Sequence, residues 1–363
     1  MRMELKTLFS PEKIGNVQIK NRIVRSATFM HVAEKYGFVG EHLLKMYEEL
    51  ATGGTGLIIT GAAAVDPSGT GGPYQMVLYD ESHLPGNKKL VKLVHEYDDT
   101  KIAVQIQHSG RQGVHPKYPT VAPSPIPNEE TGITPRGLET DEVKDYIKKF
   151  VETSIMAYEC EYDMVQLHSA HGYFLNNFLS PFTNQRTDEF GGDLQKRTKI
   201  LRDIHDGIRD QLGKKFPIII KFQSLDLLPN RITEEAGIEI SKILSNIGFD
   251  GIEPSGTPSS KIVKKDDQEN YFLPNAKKMK PHLKDCALIL VGGVRDPIKA
   301  QNILEQGEAD FISLSRPLIY EPDLPNRWKN GDLTPAKCIS CNSCFTTMNT
   351  GTYCVTKKNL EKN

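Results

Sequence analysis

His168, His171 and Tyr173, three side chains able to donate a hydrogen bond or a proton, crowd together directly after the apolar run 164–167. In a parallel α/β protein, the end of a strand is where catalytic groups sit. Spacing alone leaves two other readings open. One is a satisfied structural pair of histidines beside a packed tyrosine; the other is a pair of ligands to a metal held in a barrel. The metal reading needs further ligands, and neither Asp226 nor Glu253 makes a recognised set with the histidines.

Lys221 stands within the apolar stretch IIIKF. A buried amine is costly unless an anion or an electron-rich group pairs with it, and a neighbouring carboxylate would also satisfy it. Gly292 and Gly293 close one apolar run, and Ser315 and Arg316 close another. Glycines beside an arginine at two late strand ends match the usual barrel phosphate site, where backbone N–H groups meet the anion closely. Ser26, Ala27 and Thr28 end an early run, Gly61 and Ala62 the next, and Gln105, Gln107 and His108 the third. A phosphate at one end and a cation near the middle suggest a flat phosphorylated cofactor lying across a barrel mouth.

Such groups need a frame. Short β-rich runs at 22–26, 56–61, 102–107, 164–168, 218–222, 251–254, 287–292 and 310–315 alternate with amphipathic ones. LIIT, PIIIKF and ALILVGG are continuous apolar runs, which suit strands buried on both faces. Leu43, Met46, Tyr47 and Leu50 recur at helical spacing, as do Val143, Ile147, Phe150 and Val151. So do Leu201, Ile204, Ile208 and Leu212, and then Ile240, Ile243, Leu244 and Ile247. Thr233 before Glu234 and Glu235 reads as a helix start, and Gly248 as a stop. Eight such repeats predict a (β/α)8 TIM barrel of the α/β class, residues 1–330. An open doubly wound sheet is the competitor, but no Gly-x-Gly-x-x-Gly follows the early strands. The proline-rich stretch 114–138 reads as an excursion covering the site. A Cys-rich extension, 331–363, follows the barrel.

With 363 residues, 38% hydrophobic and 25% charged, the chain can bury a large core. A formal net charge of −1 gives no support for nucleic-acid binding. No apolar stretch approaches a membrane span and the first residues lack a signal-peptide core, so a cytoplasmic location without membrane attachment is the expectation. Cys160 and Cys286 fall in helix and strand patterns and read as inert buried thiols. Cys338, Cys341, Cys344 and Cys354 lie within 17 residues. In a reducing compartment such a cluster points to metal rather than to disulfides.

LFSPEKIGNVQIKNRI at 8–23, RSAT at 25–28, GLIITGAA, VQIQHSGRQG, the segment 166–197, VGGV and SLSRPLI follow one another along nearly the whole chain. In that order they resemble the old yellow enzyme family of flavin-dependent ene-reductases. The resemblance implies a non-covalent FMN. Ser26, Ala27, Thr28, Ala62 and Gln105 would contact its ring together with His168, and Lys221 would lie by the N1/O2 edge. Gly292, Gly293, Ser315 and Arg316 would lie near its phosphate. It also implies ping-pong hydride transfer from NADH or NADPH, through flavin N5, to the C=C bond of an α,β-unsaturated carbonyl compound. His168 and His171 would hold the carbonyl oxygen and Tyr173 would protonate the α-carbon. An assembly of identical chains is expected.

Some positions depart from the family pattern. Phe29 and His31 stand where relatives often place small, thiol or phenolic groups, and Lys221 where many have arginine, whose planar fork it lacks. The cysteines resemble the [4Fe–4S] segment of the larger dienoyl-CoA and 2-enoate reductases. The third cysteine arrives one residue early, the last gap is shorter, and the chain stops without their second flavin domain. The resemblance therefore leaves [4Fe–4S], structural zinc or an unmetallated loop for Cys338, Cys341, Cys344 and Cys354. A cluster would imply an electron-donor protein, as in the flavin half of an enoate or dienoyl-CoA reductase system. A metal-dependent barrel lyase or hydrolase built on His168 and His171 is the rival of another class, and a non-catalytic metal-binding module a third.

Overall fold

The computed structural model describes residues 4–361 except 114, 227, 229 and 257–268. Eight parallel strands close into a barrel: β1 Ile23–Arg25, β2 Leu57–Ile59, β3 Lys101–Gln107, β4 Met164–Ser169, β5 Ile218–Leu225, β6 Gly251–Gly256, β7 Ala287–Val291 and β8 Phe311–Leu314. Each pairs with its sequence neighbours, and β8 pairs with β1 to complete the ring. Each of the eight predicted runs holds a strand, with ends shifted by up to three residues. The helices that follow the first seven strands are α1 Glu41–Thr52, α2 Leu84–His95, α3 Thr140–Glu159, α4 Lys199–Leu212, α5 Glu234–Ile247, α6 Leu273–Met279 and α7 Pro297–Glu305. After β8 come a short helix, Arg316–Tyr320, and α8, Leu324–Lys329.

Local chemistry explains the helix ends. Thr233 caps α5 by accepting from the Ala236 N–H, and Gly248 ends it in the left-handed region at φ 108°. One face of each long helix is apolar. In α4, Ile200, Leu201, Ile204 and Ile208 are buried against the strands. Among the described residues, no helix is long and apolar enough to cross a membrane.

The barrel interior changes character with depth. At the bottom, Val24, Leu57, Ile59, Ala103, Met164, Ile219, Ile289 and Phe311 form one apolar layer. Beneath it sits an element that the strand pattern did not predict, a hairpin of Glu12–Ile14 and Val17–Ile19. It is turned at Gly15, φ 56°, and its Ile14 and Ile19 side chains close the layer. Further along six of the eight strands, the interior becomes polar. Ser26, Gln105, Gln166, Lys221, Glu253 and Ser313 are all buried there.

The tail returns to the top of the barrel. The Ala336 N–H donates to the Arg295 carbonyl at 2.8 Å, the Thr352 N–H donates to the Met30 carbonyl at 2.7 Å, and Arg316 bonds the Asn342 side chain. The excursion 114–138 (Val114 itself lies outside the described residues) pairs Val121–Ala122 with Arg136–Gly137. Arg186 holds it by donating to the carbonyls of Pro123 and Leu138.

Candidate active site

A single buried carboxylate organises the floor of the site. Glu253, fully buried on β6, accepts from Ser26 Oγ at 2.7 Å and Ser313 Oγ at 2.8 Å on one oxygen. Gln166 Nε2 donates to the other at 2.9 Å, and Gln105 Nε2 donates to Gln166 at 2.7 Å. Lys221 Nζ lies 3.2 Å from the carboxylate and donates to Ser26 Oγ at 2.8 Å. The bland reading of Lys221 therefore holds: the protein supplies its counter-charge, and burial of the amine does not by itself call for an anionic ligand.

Above this floor lie two adjoining cavities, of about 430 Å³ and 130 Å³. Ala27, Phe29, Gly71, His171, Tyr173 and Lys221 line both. Ser26, Thr28, Gly292, Gly293, Ser315 and Arg316 line the larger, while Ala62, Gln105 and His168 line the smaller. Every residue expected to touch the cofactor or the substrate thus borders one connected space.

His168, His171 and Tyr173 meet as rings. The centroids of His168 and His171 are 5.1 Å apart and edge-on, and His168 lies 5.0 Å from Tyr173. His171 is placed by its backbone, in the left-handed region at φ 61°. Its N–H donates to Gln223 Oε1 at 3.0 Å, and its carbonyl accepts from Gln112 Nε2 at 2.5 Å. Its Nε2 is hydrogen-bonded with Ser255 Oγ at 2.7 Å, which leaves Nδ1 for a ligand. Among the described residues His168 Nδ1 is buried without a partner, so Nε2 is the nitrogen it can offer. Burial, reinforced by His171 and Lys221, holds the His168 pKa well below its ordinary value, and burial with Lys221 pushes His171 down to about 3. Both rings are neutral near pH 7 and donate without carrying charge. Burial raises the Tyr173 pKa and keeps its phenol protonated.

At the other end of the larger cavity, Gly292 and Gly293 have φ of 110° and 76°. A Cβ on Gly292 would sit 2.7 Å from both Tyr271 and Phe272, so only glycine fits there. Thr28 Oγ1 and Ser315 Oγ share a hydrogen bond of 2.9 Å, and Arg25, buried on β1, donates to the Ser315 carbonyl. These residues fit an FMN. The glycines present open backbone, Arg316 is the adjacent cation, and Gln107 Oε1 is a buried polar atom without a partner among the described residues in the polar interior below.

Two expectations change. His108 lines neither cavity: it accepts the Gly110 N–H on Nδ1 at 3.0 Å and bonds Ser68 through Nε2 at 3.1 Å, a structural role. The excursion 114–138 contributes no described residue to either cavity. It walls a separate groove of about 230 Å³ through Asn128, Glu129 and Glu130, which among the described residues shares only His171 with the site. Phe29 and His31 stack at 3.5 Å and line the larger cavity, so both face the ligand space.

Cys338, Cys341, Cys344 and Cys354 are free thiols. Burial is the main cause that raises the Cys338 and Cys344 thiols, and Cys341 and Cys354 lie close enough to add to both rises. Among the described residues, no group of three or more His, Cys, Asp or Glu is arranged to hold a metal ion. Ser340, Phe345 and Met348, from the same segment, line the mouth of the larger cavity.

Sequence reasoning missed Glu253 as an organiser, together with Gln166, Ser255 and Ser313. The signal was present as polar residues two apart within apolar strands: Gln105 and Gln107, Gln166 and His168, Lys221 and Gln223, Glu253 and Ser255, Ser313 and Ser315. In a strand, residues two apart share a face.

Residues 7–334 match the NADH:flavin oxidoreductase / NADH oxidase family. An NADH oxidase of Thermoanaerobacter brockii is 34% identical over 344 residues, 92% of this chain. The chain spans about half of that relative, 52% of its length. An NADPH dehydrogenase of Bacillus cytotoxicus is 32% identical over 89% of this chain and 92% of its own length. Among solved structures, morphinone reductase in complex with tetrahydroNAD superposes with a TM-score of 0.77 at 26% identity, covering 90% of this chain and 91% of that one.

Proposed function

The chain belongs to the NADH:flavin oxidoreductase / NADH oxidase family, and on that premise we propose that it is an FMN-dependent NAD(P)H oxidoreductase that reduces activated C=C bonds of α,β-unsaturated carbonyl compounds. The observation that carries the reading is the meeting of His168, His171 and Tyr173 over the space that Lys221 floors. Family membership alone would allow other acceptors. Two neutral N–H donors and a protonated phenol around one cavity suit a carbonyl oxygen and a neighbouring carbon that needs a proton.

When bound, FMN would supply the hydride chemistry between a reduced nicotinamide and the acceptor carbon. Ser315, Arg316 and the open backbone of Gly292 and Gly293 would hold its phosphate, with Ala27, Thr28, Ala62 and Gln105 along the ring. His171 Nδ1 and His168 Nε2 bind the substrate oxygen and draw electron density from the conjugated bond. For His171 to donate from Nδ1, the Ser255 hydroxyl donates to Nε2, so Ser255 selects the tautomer. Tyr173 O–H then delivers the proton to the α-carbon as general acid. Lys221 sits at the floor, held by Glu253 and Ser26.

A second reading rests on the proximity of the four tail thiols. They would carry either structural zinc or an iron–sulfur cluster, and only with a cluster would a partner protein supply the electrons. No step above passes through them.

The visible spectrum of protein purified without air tests both readings. Flavin bands that bleach on adding NADH or NADPH support the direct reductase. Flavin that ignores both nucleotides, with iron and sulfide present, supports the partner-fed reading. A colourless protein that fails to take up FMN defeats both.

A further inference from the structure

Glu253 lines neither cavity, yet it holds residues that do. Its four partners come from four strands: Ser26 at the end of β1, Gln166 on β4, Lys221 on β5 and Ser313 on β8. Ser26, Lys221 and Ser313 line the larger cavity, and Lys221 lines the smaller as well. The floor of the ligand space is therefore one hydrogen-bonded unit with a fully buried carboxylate beneath it.

The charge of that unit matters more than its shape. A lone lysine under a bound flavin is a unit positive charge in a low-dielectric interior, and its effect falls off slowly with distance. A lysine 3.2 Å from a carboxylate is a short dipole with its positive end toward the cavity, and its effect falls off faster. Removing the carboxylate would leave a buried cation without its partner, a costly state until an anion arrives.

We propose that Glu253 is a positioning residue that sets the charge under the flavin: it fixes Lys221 and offsets it, so the negatively charged reduced cofactor is stabilised less than by Lys221 alone. This rests on the FMN reading above. Glu253 would thereby keep bound FMN a readier hydride donor.

The test is a potentiometric titration of bound FMN, with a sulfite titration of the flavin band, in the wild type and in Glu253→Gln. Glutamine keeps the length and one acceptor but removes the charge. Bound FMN in E253Q is expected to be easier to reduce, and sulfite to bind at least about tenfold tighter. For a two-electron couple, tenfold is about 30 mV. Equal potential and equal sulfite affinity in the two proteins overturn the proposal while the FMN reading stands. Failure of the wild type to bind FMN overturns both. Should E253Q not fold, Lys221→Met is compared with Lys221→Met/Glu253→Gln, where no unpaired cation remains. A higher potential in the double variant supports the proposal, and equal potentials overturn it. A purely structural Glu253 would change melting temperature and leave the potential unmoved.

Discussion

Tyr173 has the simplest chemical role of the three rings and the sharpest test. It lines both cavities and keeps its proton because burial raises its pKa. Tyr173→Phe is expected to leave reduction by NAD(P)H intact. It should slow turnover of enones with a poorly basic α-carbon by about 10²–10⁴-fold, the usual contribution of a positioned general acid. Stopped-flow measurement of the two half-reactions separately checks this, and equal oxidative rates would remove Tyr173 from the role. The histidines carry a different consequence. In the unfolded chain a histidine takes up its proton near pH 6.5, whereas native His171 stays neutral down to about 3. Between those values the unfolded state binds more protons, so folding stability falls as the pH is lowered. Melting temperatures recorded from pH 7 to pH 4 should decline, with a shallower slope in His171→Asn. Parallel slopes would show that His171 is not the group responsible.

At the scale of the elements, the strands were readable because their central residues are apolar on both faces. The helices were readable because Leu201, Ile204 and Ile208 repeat at the helical period and are buried as that period requires. What escaped reading was the second periodicity inside the strands. Glu253, flanked by Ile252 and Pro254, does not announce itself as buried, and its partners come from strands distant in sequence. The hairpin at Gly15 escaped for a related reason, since three-residue strands are too short to show alternation. The excursion 114–138 has a loop's composition, but composition does not say which wall of the site a loop builds. The glycines after β7 were legible, and their test is steric. Gly292→Ala forces a Cβ onto Tyr271 and Phe272 at φ 110° and is expected to cost about 1–3 kcal/mol of stability. FMN affinity should fall with it, measured by fluorescence titration alongside a denaturant melt. A variant with unchanged affinity and stability would show that this backbone is not constrained as described.

For the molecule as a whole, the interior is apolar below and polar above, and the hairpin decides where water stops. Ile14 and Ile19 close the bottom layer against eight strand residues, with no exposed surface of their own. Ile14→Ala should cost about 2–5 kcal/mol, the usual range for emptying a buried isoleucine site, with little change at the cavity end. Urea unfolding gives the first quantity and FMN affinity the second. A loss of affinity matching the loss of stability would mean that the two ends of the barrel are not independent.

The tail bears on the order in which the molecule is made. Ser340, Phe345 and Met348 line the larger cavity, and Asn342 and Thr352 tie that segment to Arg316 and Met30. All five tail residues follow β8 in the chain, so a ribosome completes the barrel strands before it makes the clasp. At about 5–20 residues per second, the stretch from Arg316 to Thr352 takes on the order of seconds to emerge. During that interval the glycine-lined end of the cavity lacks its cover, which gives a large flat ligand a wider entrance on the nascent chain than on the finished one.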